Sequence, residues 1–282
     1  MTSILTNNGA MVALQTLQSV NDSLTDAQNE ISTGKKVGTA KDNAAVWAIS
    51  KTMESDIAGF NAISDSLAVG EATVAVASAG AEQIVDTLTD IKELIVSAQS
   101  ENVDHAKIQA DIDAKIEQVA GIISAAQFNG ANLLASDIDG NSTTQLGVLA
   151  SLDRVGATGT PTPTEILIDT VDFEADLDLA SNLTSISDST TAATAMGEIE
   201  AFLALAIDGA AQLGSDSARL ADQGAFVSNL TDSMKMGVST MTDTDMEEAS
   251  ARLKALQTQQ QLAVQSLSIA NQAPQTIMSL FR

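Results

Sequence analysis

Catalysis and metal binding need nucleophiles, proton carriers or ligands at fixed spacing, and this sequence supplies almost none of the required sets. The only histidine, His105, has Gln109 at i+4, so the paired-histidine zinc helix cannot form. Without a second histidine no Ser/His/Asp relay can be assembled, and His105 reads as an exposed residue at a helix start. Cysteine is absent, which excludes thiolate metal sites, thiol nucleophiles and disulfides. No G-x-x-x-x-G-K-[ST] phosphate loop occurs. The run Asp137-Ile138-Asp139-Gly140-Asn141 hints at a calcium loop. Its glycine comes two positions early, however, and Val148 stands where the bidentate Glu belongs, so it reads as a turn. Adjacent carboxylates such as Glu247 and Glu248 read as solvated helix faces. The Asn-x-[ST] triplets at Asn21, Asn141, Asn182 and Asn229 are expected by chance in a chain rich in Ser and Thr. The expectation is a protein with no catalytic residue, no cofactor and no metal, not an enzyme.

The elements that would position any site are helices. Near the N-terminus Ala10, Leu14, Leu17, Asn21, Leu24, Gln28 and Ile31 recur at alternating steps of four and three, the seam of a coiled coil. Ser32-Thr33-Gly34 stops that helix, Gly34 being suited to a left-handed cap. At the other end Leu253, Leu256, Gln260, Ala263, Leu267, Ala270, Pro274, Ile277 and Phe281 keep the same spacing. Two matched seams therefore sit at opposite ends of one chain.

Between them, Val74, Ala77, Ala81, Ile84, Leu88, Ile91 and Ile95 hold the heptad rhythm. Looser repeats back to Val46 extend it to about 50 residues, roughly 75 Å of helix. Asp104 caps a shorter helix through Ile108, Ile112, Ile116, Val119 and Ile123, which Asn129-Gly130 is expected to end. Met196, Ile199, Leu203, Ala206, Ala210, Leu213, Ser217 and Leu220 restart the seam towards Met241. Residues 136–191 break the pattern, with Pro161, Pro163 and the Asp139-Gly140 turn. Within them 143–152 and 165–173 read as short strands. This segment is an outward tip or insertion, and the two helical halves fold back antiparallel, bringing both termini to one end.

The fold class expected is mainly α: a long antiparallel helical rod with coiled-coil paired terminal helices and a small β-containing insertion. Its domains are 1–33 with 246–282, 34–135 with 190–245, and 136–189. Composition agrees, because the chain is 44% hydrophobic but only 2% aromatic, which suits closely packed helices better than a thick core. The formal net charge of -24 repels a phosphate backbone or an anionic bilayer, so neither nucleic acid nor membrane is an expected partner. The N-terminal ten residues lack a basic region followed by an apolar core, so secretion would use no cleaved signal. One asymmetry stands out: Lys35, Lys36, Lys41 and Lys51 place four of the 13 basic residues within 17 positions. They are candidate contacts to an acidic face of an adjacent subunit.

The stretch Ile31-Ser32-Thr33-Gly34-Lys35-Lys36-Val37-Gly38-Thr39-Ala40-Lys41-Asp42-Asn43-Ala44-Ala45 resembles that of bacterial flagellin, in which a helix ends at Ser-Gly and Ala-Lys-Asp-Asp-Ala-Ala opens a long second helix. Gln127-Phe128-Asn129-Gly130-Ala131-Asn132-Leu133-Leu134 is similar to the family's Phe-Asn-Gly-x-x-Leu-Leu turn. Ala270-Asn271-Gln272-Ala273-Pro274-Gln275 and Ser279-Leu280-Phe281-Arg282 resemble its Ala-Asn-Gln-x-Pro-Gln and terminal Ser-Leu-Leu-Arg. The resemblance covers roughly residues 1–135 and 190–282, leaving the middle unmatched by motif.

The resemblance implies a structural subunit of the flagellar filament, extracellular, with the paired terminal helices forming an inner tube. It also implies unfolded passage through the flagellar type III export apparatus with an export chaperone. Other copies of the chain, hook-filament junction proteins and filament cap proteins are the implied partners. The self-assembly seam then comprises Ala10, Leu14, Leu17, Leu24, Ile31, Leu253, Leu256, Ala263, Leu267, Ile277 and Phe281. A hook-filament junction protein and a cytoplasmic coiled-coil signalling or adaptor protein stay open as alternatives. A terminal helix with Ala, Gln and Asn on its seam buries little area, so residues 1–33 and 246–282 are expected to order on assembly.

Overall fold

The computed structural model describes residues 7–156 and 159–280, and side chains as far as residue 272. Among the described residues seven helices and four strands follow in order, and the chain divides into two compact units, residues 1–57 with 233–282, and residues 58–232.

In the first unit, α1 (Asn8–Thr33) begins on the Asn7 side chain, which accepts the Ala10 N–H, and ends on Gly34 at φ 70°, as its sequence anticipates. Glycine alone holds that left-handed conformation without steric penalty. Asn43 accepts the Val46 N–H at the start of α2 (Ala44–Ala98). The helix α6 (Ser189–Thr242) closes before α7 (Met246–Leu280), whose first N–H groups, of Glu247 and Glu248, donate to Asp245. Helix α7 runs through Pro274.

The two chain breaks are stitched together. Lys36 and Val37 donate their N–H groups to the Thr242 carbonyl at 2.7 and 3.2 Å, and Thr244 donates to the Gly34 carbonyl at 3.0 Å. Helices α1 and α7 run antiparallel beyond this point. Asn7 Nδ2 donates to the Ala270 carbonyl at 2.8 Å, and Gln260 Nε2 to Asn21 Oδ1 at 2.7 Å.

The second unit is built on the heptad row read from the sequence. Val74, Ala77, Ala81, Ile84, Leu88, Ile91 and Ile95 of α2 are all buried, as are Ala192, Ala195, Ile199, Ala206, Leu213 and Leu220 of α6. Helix α3 (His105–Ala125), capped by Asp104, adds Ile112, Val119 and Ile123. It ends at Ala125, short of Asn129-Gly130. That pair instead forms the two-residue turn between β1 (Gln127–Phe128) and β2 (Ala131–Asn132), with φ 50° at Asn129 and 86° at Gly130. Positive φ at both central residues is what a tight hairpin turn demands.

The middle segment is not a free tip. Strands β3 (Gln145–Asp153) and β4 (Thr162–Asp169) pair antiparallel and bury Val148, Ala150 and Ile168. A Cβ on Gly70 would lie 2.7 Å from Val148, and one on Gly59 3.1 Å from Leu152, so α2 receives the hairpin through its glycines. Helix α6 grips it with side chains: Gln223 Nε2 donates to the Ala150 carbonyl and Arg219 Nη2 to the Leu167 carbonyl, both at 2.7 Å. Two single-turn helices, α4 (Phe173–Asp176) and α5 (Leu179–Asn182), follow and anchor Phe173 and Leu179 in the core.

One stretch of α6 reaches a mean hydropathy of 1.3, which by length and composition alone would permit a membrane span. Glu200 of that helix is instead paired with Lys92 at 2.6 Å, and its heptad row lies in the unit's core.

Exposed carboxylates hold the turns. Backbone N–H groups, Thr191 first at Asp188, Ser142 at Asp137 and Thr39 at Asp42, hold these three acids below the usual carboxylate range. A depressed folded value means the stabilisation is complete above the unfolded value, about 3.9, and is lost as pH falls through the folded one. Acid titration followed by circular dichroism should therefore show a transition below about pH 4 that becomes shallower in Asp137→Asn and Asp188→Asn. Curves superimposable on the unaltered chain would exclude these turns as acid-sensitive points.

Candidate functional site

The α1–α7 pair is built from small contacts. On α1 the side facing α7 is Ala10, Ala13, Leu17, Val20, Leu24, Ala27 and Ile31, all buried or half-buried. Four of these, Ala10, Leu17, Leu24 and Ile31, are seam positions read from spacing. The intervening row lies one residue earlier than Leu14, Asn21 and Gln28. Leu14 is 48% exposed and turned away from α7. The physical reason is packing distance: alanines at 13 and 27 let two helices approach more closely than a leucine and a glutamine would. On α7 the facing row is Leu253, Leu256, Gln260, Ala263, Leu267 and Ala270, as spaced in the sequence. The Ile277 side chain and Phe281 lie outside the described residues.

What this pair leaves outside is more telling. Met11, Val12 and Leu14 on α1 and Leu262, Val264 and Ile269 on α7 are exposed, Met11 to 66% and Ile269 to 68%. The Asn7–Ala270 and Gln260–Asn21 bonds place these six at one level of the antiparallel pair, its terminal half. Residues 15–33 expose no large apolar side chain, and α7 below Gln260 exposes only Met246. A cluster of this kind marks an interaction surface.

Two of the four lysines are occupied within the chain. Lys51 Nζ stands 2.6 Å and Lys35 Nζ 3.8 Å from Glu54, and the Lys51 hydrogen bond holds the Glu54 carboxyl below its ordinary range. Lys36 and Lys41 are exposed and form no ion pair among the described residues. Sequence spacing offers Glu54 to Lys51, three residues before it on α2, but could not reveal it as the partner of Lys35, since that contact depends on the course of the loop between α1 and α2.

Charge is divided unevenly between the units. Residues 1–57 with 233–282 hold eight basic and ten acidic residues, whereas residues 58–232 hold five and 27. Net charge is therefore -2 in one and -22 in the other.

The remaining residues read for chemistry have structural partners. His105 is half-buried rather than exposed, its Nε2 2.9 Å from the Ala98 carbonyl, so the ring N–H donates to an end carbonyl of α2. Asp137 accepts the N–H groups of Gly140, Ser142 and Thr143, closing the turn over the place where a calcium loop would hold its ion. Among the described residues no group of three or more His, Asp or Glu side chains is placed to hold a metal.

Comparison with known proteins agrees in both halves of the chain. Residues 4–138 match the bacterial flagellin N-terminal helical region and residues 196–281 the bacterial flagellin C-terminal helical region. Flagellin of Brucella melitensis biotype 1 is 41% identical over 288 residues, covering 100% of both chains. Flagellin FljM of Caulobacter vibrioides is 40% identical over 286 residues, covering 99% of this chain and 98% of its own. Flagellin A of Rhizobium meliloti is 32% identical over 396 residues, covering 100% of both.

Proposed function

The chain belongs to the bacterial flagellins, the structural subunits of the flagellar filament, and from that premise we propose how its parts take part in assembly. The α1–α7 pair meets the same pair of neighbouring copies, and the level bearing Met11, Val12, Leu14, Leu262, Val264 and Ile269 is the first surface covered. The observation that carries this is the clustering of six of the seven large apolar side chains that the α1–α7 pair exposes among its described residues in that terminal half, Met246 being the seventh. Seam residues Ala10, Leu17, Leu24, Ile31, Leu253, Leu256, Ala263 and Leu267 hold the pair together and so act through it, and Leu14 is reassigned to the outer surface.

The pair is ordered by assembly rather than before it. Among the described residues its buried side chains are mostly alanines, Ala27, Ala249 and Ala263, with Leu256 the one large residue. Burying so few methyl groups contributes little against the entropy of fixing two long helices. Lys36 and Lys41 meet acidic groups of an adjacent copy. Junction and cap proteins at the polymer ends and delivery to the cell exterior by an export apparatus and chaperone belong to the same proposal, supported by family membership rather than by a site on this chain.

Electron microscopy of purified protein after seeding should show long filaments. Amide exchange should show residues 8–33 and 246–270 exchanging freely in monomer and slowly in filament. Strong protection of those helices in the monomer contradicts ordering on assembly.

A further inference from the structure

A second surface stands apart from the terminal helices. Between α3 and the α4–α5 segment lies a hollow of about 420 Å³ whose floor is apolar, with Val119, Ile123, Leu177 and Leu179 buried in it. It continues past Ile116, Leu179 and Ala180 into a smaller one reaching Asp113 and Glu117. Its rim is acidic: Glu174 and Asp178 on one side, Asp113 and Glu117 on the other. None of these four carboxylates has a cationic partner among the described residues.

An open helical polymer needs a heterologous contact, in which one patch of the subunit meets a different patch of the next. The chain holds a patch opposite in character to this hollow. Residues 35–51 contain four lysines and one acid, Asp42, in a protein whose net charge is -24. Lys36 and Lys41 there form no ion pair among the described residues, and Ile49, on the first turns of α2, is 52% exposed. An exposed apolar side chain on a segment that carries two cations outside any ion pair fits an apolar floor rimmed by carboxylates without cationic partners. A cationic segment approaching a unit of charge -22 avoids bringing acid towards acid.

We propose that the Lys36–Ile49 corner of one copy seats on the α3–α5 hollow of the next, with Ile49 over the apolar floor and Lys36 and Lys41 among Asp113, Glu117, Glu174 and Asp178. The proposal rests on the self-assembly reading and names the partner surface for its lysines.

The absence of cysteine makes the contact directly testable. Two single-cysteine proteins, Ile49→Cys and Ala180→Cys, are mixed, each at about one part in ten of unaltered chain, polymerised and exposed to copper-phenanthroline as oxidant. A covalent dimer containing one of each is expected in the pelleted polymer and not in the monomer mixture. Polymer of normal length without that dimer overturns this contact alone, whereas failure of the unaltered chain to polymerise removes the assembly reading and this contact with it. Charge exchange gives an independent readout. Lys36→Glu with Lys41→Glu should raise the critical concentration at least about tenfold, and adding Glu117→Lys and Glu174→Lys should restore most of it. No restoration, with a salt dependence like that of the unaltered chain, overturns the pairing.

Discussion

Aspartate in place of Leu256 abolishes polymerisation while leaving the melting of residues 58–232 unchanged. Among the described residues Leu256 is the one large buried side chain of the α1–α7 pair, in one row with alanines at 249 and 263. A carboxylate there loses its hydration on the buried face, at several kcal/mol, and the leucine's own burial, about 2 kcal/mol, is lost as well. A pair held by so little apolar area has no reserve to absorb this. At 1.4 kcal/mol per factor of ten, the critical concentration should rise by about a thousandfold or more. Sedimentation of polymer across protein concentration measures it, and circular dichroism of the monomer follows the second unit, in which residue 256 takes no part. Ile269→Asp, at an exposed site, should weaken assembly without disturbing the pair. Filaments of Leu256→Asp at ordinary concentration would show that the pair is not what joins the copies.

Gly209→Leu is the corresponding change for the second unit. A Cβ at 209 would lie 2.5 Å from Val171 Cγ1 and 2.7 Å from two ring carbons of Phe173, both held against α6 by the segment leading into α4. The Phe173 ring is itself buried, and the backbone carrying it is held by its N–H donating to the Leu134 carbonyl at 3.1 Å, so neither ring nor backbone has room to yield. Overpacking at such a site costs about 3 kcal/mol, more than the roughly 1 kcal/mol of helix propensity that glycine forgoes. The second unit should melt some 5 to 10 °C lower. Gly214→Leu, five residues on in the same helix with open space at its Cβ, should melt slightly higher. Two glycines of one helix thus give opposite signs, and equal shifts would refute the close approach at 209.

The parts of this fold legible in the sequence were those set by local rules. The α2 heptads from Val74 to Ile95, the Asp104 cap and the left-handed Gly34 each depend on a few neighbouring residues, and each is found as spaced. Asn129-Gly130 was legible as a turn but misassigned, because a helix stop and a hairpin turn use the same two residues and only β-pairing with residues 131–132 separates them. The α1 seam was half legible. Periodicity marks a face about one residue wide, and whether 13 or 14 turns inward is decided by how close α7 comes. The docking of β3–β4 on α2 was marked only by glycines at 59 and 70, which without the hairpin's position read as weak points in a helix. Nothing local announced the α3–α5 hollow, whose walls come from residues about 60 positions apart.

The uneven division of charge has a consequence at a larger scale. Each repeat of a polymer of this chain carries -24, nearly all of it contributed by residues 58–232, so a filament is a polyelectrolyte cloaked in condensed counter-ions. At physiological ionic strength that cloud extends about 8 Å, which keeps neighbouring filaments from sticking side by side at ordinary separations. Multivalent cations collapse it. The spacing of filaments in a bundle is therefore a property of the medium as well as of the subunit, tight where divalent ions are abundant and loose where they are scarce.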